Sequence, residues 1–325
     1  MSNTIGKKSR VEATPNHYRT ALGQAIEAVK KAVWGKDTSI HQAFATILAG
    51  GHLLIEDVPG VGKTTLATAL AKVIGAGFGR IQLTSDLLPS DITGMVRPDC
   101  TGQLSFVPGP IMNQVVLLDE LNRASPKTQS ALLEVMAEGV VTVDGFRHKV
   151  PQPFVVIATQ NPLEHHGVYP LPESQLDRFM LSLELGYPSV DVEARLLSEG
   201  SAIEGFLSEM ASVLTPGMMV AMRCEVDRIF MDKDLAQYVV QIMEVTRNAS
   251  EIALGCSTRA AMALAALARS SAWMDGRDYV APDDVYGMLI PSLAHRIRLN
   301  GLGAQSLEDK QNILFRLIKT VRIPR

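Results

Sequence analysis

The chain has 325 residues, 46% of them hydrophobic, a net charge of −3 and a sequence pI of about 6.2. That length suits one large and one small domain, and that apolar fraction can fill a large core. The charge argues against a protein that grips nucleic acid through a general basic field. No apolar run reaches the roughly 18 residues a membrane span needs.

Cys100, Cys224 and Cys256 are far apart and match no metal spacing, which reads as reduced thiols in a cytoplasmic protein. Residues 1–17 are polar, lack the apolar segment of a secretory signal, and are expected to be a loose tail.

In chain order, Leu22, Ile26, Val29 and Val33 have helical spacing, so 18–34 is a predicted helix that Gly35 ends. A second helix, 40–49, could be capped by Asp37 or Ser39 and stops at Gly50-Gly51. His52-Leu53-Leu54-Ile55 reads as a buried strand, 66–73 as a helix and 79–84 as another strand. Turn residues dominate 95–109, giving an exposed hairpin or extended loop. Val115-Val116-Leu117-Leu118 fits a strand buried on both faces, with Asp119 and Glu120 at its C-terminal end. Ser125-Pro126 starts a helix to 138. Asp144-Gly145 predicts a tight hairpin over 140–150. Residues 154–159 form a further buried strand ending at Gln160-Asn161-Pro162, followed by a short helix at 172–179 and a last strand at 181–185. Beyond Tyr187-Pro188-Ser189 strand signals nearly vanish, and 191–199, 232–248, 258–274, 283–295 and 306–318 read as helices. The expected architecture is therefore α/β with a mainly parallel sheet over 18–187, followed by a small all-helical region over 188–325.

The chemistry centres on Asp57-Val58-Pro59-Gly60-Val61-Gly62-Lys63-Thr64-Thr65. A strand, a glycine-bearing loop and a helix start hold phosphate, because backbone N–H groups and the helix N-terminus present positive charge. Lys63 can reach the β- and γ-phosphates and the Thr64 hydroxyl can ligate Mg²⁺. The general pattern begins with Gly, whereas this chain has Asp57. Asp119 is the candidate acid for the Mg²⁺ shell opposite Thr64, and Glu120 can accept a proton from the attacking water. Asn161 could hold that water or touch the γ-phosphate, with a structural Asn-Pro turn as the alternative. Arg178 and Arg259 could neutralise phosphoryl charge, but for a single arginine a surface ion pair is the default. His165-His166 has no metal-site partner nearby.

Taken together, Val33-Trp34-Gly35-Lys36, Glu56 to Thr64, Leu117 to Ala124, Ala158-Thr159-Gln160-Asn161-Pro162, Leu171 to Phe179 and Gly255-Cys256-Ser257-Thr258-Arg259-Ala260 resemble the MoxR family of AAA+ ATPases. The resemblance covers residues 18 to 320. It implies a P-loop αβα core with a helical lid, assembled as a ring homo-oligomer, usually a hexamer, that hydrolyses ATP with Mg²⁺. It implies Lys63 and Thr64 as the Walker A pair, Asp119 and Glu120 as Walker B, and Asn161 as sensor 1. Arg178 would be the finger supplied to a neighbour and Arg259 the sensor 2 arginine, with Thr258 standing where relatives often carry proline. Adenine would lie near Val33 to Gly35. The hairpin regions near 95–107 and 140–150 would face the ring centre.

The implied activity is chaperone-like remodelling of protein partners, with a von Willebrand factor A-domain protein as the expected partner. A nucleic-acid motor or helicase loader is the rival, and the charge balance disfavours it.

Overall fold

The computed structural model describes residues 15–161, 167–301 and 306–324. The expected N-terminal tail before residue 15, Pro162 and the pair His165-His166 lie outside the described residues. Helices α1 (Pro15–Ala32) and α2 (Asp37–Leu48) come first. Next come β1 (Leu53–Glu56), α3 (Lys63–Ile74), β2 (Phe78–Gln82), the short α4 (Pro89–Thr93) and the hairpin of β3 (Gly94–Pro98) and β4 (Leu104–Pro108). They are followed by β5 (Val115–Asp119), α5 (Pro126–Glu138), the hairpin of β6 (Val140–Val143) and β7 (Phe146–Lys149), β8 (Val155–Gln160), α6 (Glu173–Leu176) and β9 (Leu181–Leu183).

Five strands form one parallel sheet in the order β2-β5-β8-β1-β9. Side chains alternate across it with the period of two that a pleated strand imposes. Leu53, Ile55, Val115, Leu117, Val155 and Ile157 enter one buried cluster. Leu54, Val116, Leu118, Val156 and Ala158 enter the other, against α5. Every residue of β5 is buried, as a strand covered on both faces requires. The sheet's order puts β8 between β1 and β5, so the chain segments leaving these three strands converge at one edge.

His52, just before β1, is buried and pins two elements to it. Val156 N donates to its Nδ1 at 3.0 Å, and its Nε2 lies 3.1 Å from Met136 O on α5. With Nδ1 accepting, Nε2 carries the proton. Burial lowers its pKa to about 4.

Helices α7 (Val190–Glu209), α8 (Pro216–Val226), α9 (Lys233–Asn248), α10 (Thr258–Met274), α11 (Pro282–Leu293) and α12 (Leu307–Ile318) make the rest, with a small antiparallel pair, β10 (Ile252–Leu254) and β11 (Arg298–Leu299). The sequence pattern stops α7 near 199, but the helix runs on through Gly200 and Gly205 to Glu209. It also gives no helix over 216–226. Here Thr215 Oγ1 accepts the Met218 N–H at 3.2 Å and Pro216 fills the first turn, the same start signal as Ser125-Pro126. Neither Asp37 nor Ser39 caps α2; Lys36 holds that position without a side-chain cap, and Asp37 lies in the first turn.

The helical part is bound to the sheet part through buried groups. Arg296, 4% exposed, donates to Phe179 O at 2.7 Å and lies 3.5 Å from the Asp177 carboxylate. His295 Nε2 lies 3.0 Å from Phe179 O. Arg223 on α8 donates to Ile47 O at 2.9 Å, and Val213 and Leu214 N–H donate to Val73 O.

Candidate nucleotide site

The phosphate loop leaves β1 and enters α3 at Lys63. Gly60 and Gly62 have φ of +86° and +94°, a region that favours glycine, and nothing stands within 4 Å of the Cβ either would carry. The inner side of the loop is therefore open, as an anion cradle must be. Pro59 is exposed, Val61 is buried, and Gly62, Lys63, Thr64 and Thr65 are half-buried at the helix N-terminus. Lys63 Nζ donates to Asp57 O at 2.8 Å. Burial lowers the Lys63 pKa, while Asp57, Asp119 and Glu120 oppose that shift, so the acid pair is felt at the lysine.

Asp119 ends β5 and is 7% exposed. Its Oδ2 accepts from Arg80 Nε at 2.8 Å and its Oδ1 from Thr159 Oγ1 at 3.4 Å. Glu120 follows with φ of +59°, a strained conformation for a residue with a side chain, costing about 1–2 kcal/mol. Its N–H donates to Thr159 Oγ1 at 2.9 Å, and its carbonyl accepts Arg123 N–H at 2.9 Å in the turn Leu121–Arg123. Gln82 Nε2 donates to Glu120 Oε2 at 3.0 Å, and Arg123 Nε lies 3.2 Å from the same oxygen. Thr159, buried on β8, thus touches both acids. Sequence reading passed over it because its importance depends on the pairing of β8 with β5. Asn161 follows β8, half-buried, and its carbonyl accepts from Asn122 Nδ2 at 3.4 Å.

Beside the loop lies a cavity of 270 Å³ bounded by Val33, Trp34, Lys36, Gly60, Gly62 and Ile203, among others. Gly35 turns the chain here with φ of +69°; a Cβ would meet Val192 Cγ2 of α7 at 3.3 Å. Trp34 is held by a hydrogen bond from Nε1 to Lys31 O at 2.8 Å and by the Arg195 guanidinium, 4.0 Å from its ring centre. The cavity is thus bounded by the turn at Val33 to Lys36, by the loop and by α7.

The two arginines have different partners, Arg178 on α5 and Arg259 at the Asp177 carboxylate. Arg178 Nη1 donates to Leu133 O on α5 at 2.5 Å. Arg259, 60% exposed at the start of α10, has Nη1 3.9 Å from Asp177 Oδ2. Ser257, the N-cap of α10, donates to the same carboxylate at 3.0 Å. Sequence reading missed Arg296, the buried arginine beside the Asp177 carboxylate. Among the described residues no group of three or more His, Cys, Asp or Glu is arranged to hold a metal, and no helix is long and apolar enough to cross a membrane.

The family model for "ATPase family associated with various cellular activities (AAA)" matches residues 52–181, and that for the AAA lid domain matches 244–314. The fold and site accordingly define an AAA ATPase with a helical lid: it binds nucleotide and hydrolyses ATP. The chain is 43% identical over 304 residues to the YeaC protein of Bacillus subtilis (strain 168), covering 93% of this chain and 95% of that protein. It is 37% identical over 314 residues to chaperone MoxR1 of Mycobacterium tuberculosis (strain ATCC 25618 / H37Rv), covering 93% and 82%. A crystal structure from Cytophaga hutchinsonii ATCC 33406, assigned as an ATPase, superposes with a TM-score of 0.87 at 34% identity, covering 96% and 97%. The chain belongs to the MoxR family of AAA ATPases.

Proposed function

We propose that this protein is a Mg²⁺-dependent ATPase that works in the cytoplasm as a ring homo-oligomer, a hexamer, and remodels or activates protein partners, among them a von Willebrand factor A-domain protein. In this reading 18–187 is the ATPase core and 188–325 the lid. The observation that carries it is the convergence of three strand ends: the loop after β1, Asp119-Glu120 after β5, and Thr159 to Asn161 at the end of β8 between them.

The roles follow from chemistry. The loop from Pro59 to Thr65 cradles the phosphates, with Lys63 moving from Asp57 O to the β- and γ-oxygens. The donor set fits Mg²⁺: Thr64 Oγ1 and the Asp119 carboxylate are the hard oxygen ligands that would hold it. Bound there, the ion neutralises phosphate charge. Glu120 accepts the proton of the attacking water and Asn161 orients that water. Arg259 meets the phosphates of its own subunit, and Arg178, leaving Leu133 O, those of the neighbour. Adenine occupies the cavity beside Val33 to Lys36, including Gly35.

A protein partner is supported by the two hairpins. Leu104 and Phe146 are 70% and 69% exposed, and Phe106 stacks on His148 with ring centres 3.8 Å apart, which joins β3–β4 to β6–β7. Exposed apolar side chains on a joined pair of hairpins suit contact with polypeptide.

The test uses Glu120→Gln, which keeps the Mg²⁺ and phosphate ligands. It should bind ATP normally and lose about 10²–10⁴-fold in turnover, the usual worth of a general base. Purified with ATP and Mg²⁺ from its host, the variant should retain a partner protein. Parental turnover in Glu120→Gln would refute the catalytic assignment. Co-purifying nucleic acid with replication proteins would refute the remodelling one.

A further inference from the structure

After β9 the chain crosses at Leu185-Gly186-Tyr187-Pro188 before α7 begins. This crossing is held from two sides by groups of the nucleotide site. Asp57, the residue that replaces the first glycine of the phosphate-loop pattern, is 7% exposed. Its Oδ2 accepts the Leu185 and Gly186 N–H groups at 2.7 and 2.6 Å, and its Oδ1 accepts Val58 N–H at 2.8 Å. Lys36, from the turn that bounds the base cavity, donates from Nζ to Gly186 O at 3.1 Å and Tyr187 O at 3.0 Å. A carboxylate thus takes the donors of the crossing and an ammonium takes its acceptors. Gly186 has φ of +64°, which lets both N–H and carbonyl groups of a single crossing meet these partners.

Each grip connects to a ligand position. The backbone carbonyl of Asp57 holds Lys63 Nζ, the group that phosphate must draw away. Lys36 and Pro188 both border the 270 Å³ cavity, and the first turn of α7 reaches Gly35 through Val192.

We propose that Asp57 and Lys36 are positioning residues that strap the core-to-lid crossing onto the phosphate loop, so that phosphate binding at Lys63 resets the start of α7. Glycine at 57 satisfies the general phosphate-loop pattern, so it is an option compatible with binding. The aspartate is there for the strap. The inference rests on the ATPase reading for its consequence but not for its geometry.

The test compares the full chain with Asp57→Gly and Lys36→Met by amide hydrogen exchange over 183–196, nucleotide affinity and steady-state kinetics. In nucleotide-free protein, Asp57→Gly should speed exchange at Leu185 and Gly186 by about tenfold or more, the worth of a lost charge-assisted hydrogen bond. Asp57→Gly should bind ADP within about threefold of the parent, and in both variants kcat should fall about tenfold, with the change in α7 exchange on ATP binding lost. Asp57→Asn keeps the side-chain volume and serves if the glycine variant does not fold; it should give an intermediate effect on the same amides. Parental exchange at 185 and 186 in a folded Asp57 variant would overturn the strap. Faster exchange with parental kcat and KM would overturn its role in turnover. If the parental chain itself hydrolysed no ATP, the ATPase reading would fail while the exchange result still judged the strap.

Discussion

Replacing Thr159 with valine keeps the shape of a buried, 2% exposed side chain and removes one oxygen. That oxygen accepts the Glu120 N–H at 2.9 Å and donates to Asp119 Oδ1 at 3.4 Å. The first bond is the stronger and supports a residue already in the left-handed region. Leaving a backbone N–H unpaired costs about 1–3 kcal/mol, and the strain at Glu120 adds a reason for the turn to relax. On the proposed role of Glu120 as the base, meeting that cost during turnover lowers kcat about 5- to 150-fold. Nucleotide affinity should change little, because the Thr159 hydroxyl bonds to Glu120 N–H and Asp119 and not to Lys63. Steady-state ATPase assays with a separate nucleotide titration measure the split, and Thr159→Ser should recover most of the rate because it keeps the oxygen. A Thr159→Val protein with parental kcat and a lowered melting temperature would refute the reasoning and leave Thr159 as packing alone.

Two further outcomes are expected. His52 stays neutral when folded down to a pKa of about 4, against about 6.5 unfolded. The unfolded chain therefore takes up a proton first, and stability falls as pH drops from about 6.5 towards 4 at about 1.4 kcal/mol per unit. His295, lowered to about 3 by burial and by neighbouring Arg296, adds a second such slope over a window reaching lower. Urea titrations at several pH values should show His52→Asn removing one of the two slopes; an unchanged pH dependence would contradict the assignment. Arg296→Met should lower stability by about 2–4 kcal/mol through the lost Phe179 bond and the Asp177 pair, read as a shift of the urea midpoint. An unmoved midpoint would mean that this buried arginine does not hold the lid.

What could be read from the sequence was whatever depends on neighbours in the chain. The apolar run before Asp119, the glycines before Lys63 and the Asp144-Gly145 turn, with φ of +49° and +83°, each carry their own physical reason. Ser125 caps α5 as its Ser-Pro signal says. Helix α8 carried the same signal at Thr215-Pro216 and could have been found. Thr159, His52, Lys36 and Arg296 could not: each acts through a partner 39 or more residues away, and nothing local marks a residue whose task is to meet another element. The departure at Asp57 looked like an imperfect motif, and only the contacts at Leu185 and Gly186 show what the carboxylate does.

The buried cluster on one face of the sheet continues from Leu53 and Leu181 to Met219, Tyr238, Trp273 and Leu314 without a break. The helical part is therefore not an interchangeable module fastened on by a flexible tether. A fragment ending near 188 would expose an apolar wall that the missing helices normally cover, and would be expected to associate with itself. Grafting a lid from a distant relative would require that wall to be recut side chain by side chain. Such a chain should gain and lose substitutions on the two sides of this seam in concert, with each part setting which neighbours the other can accept.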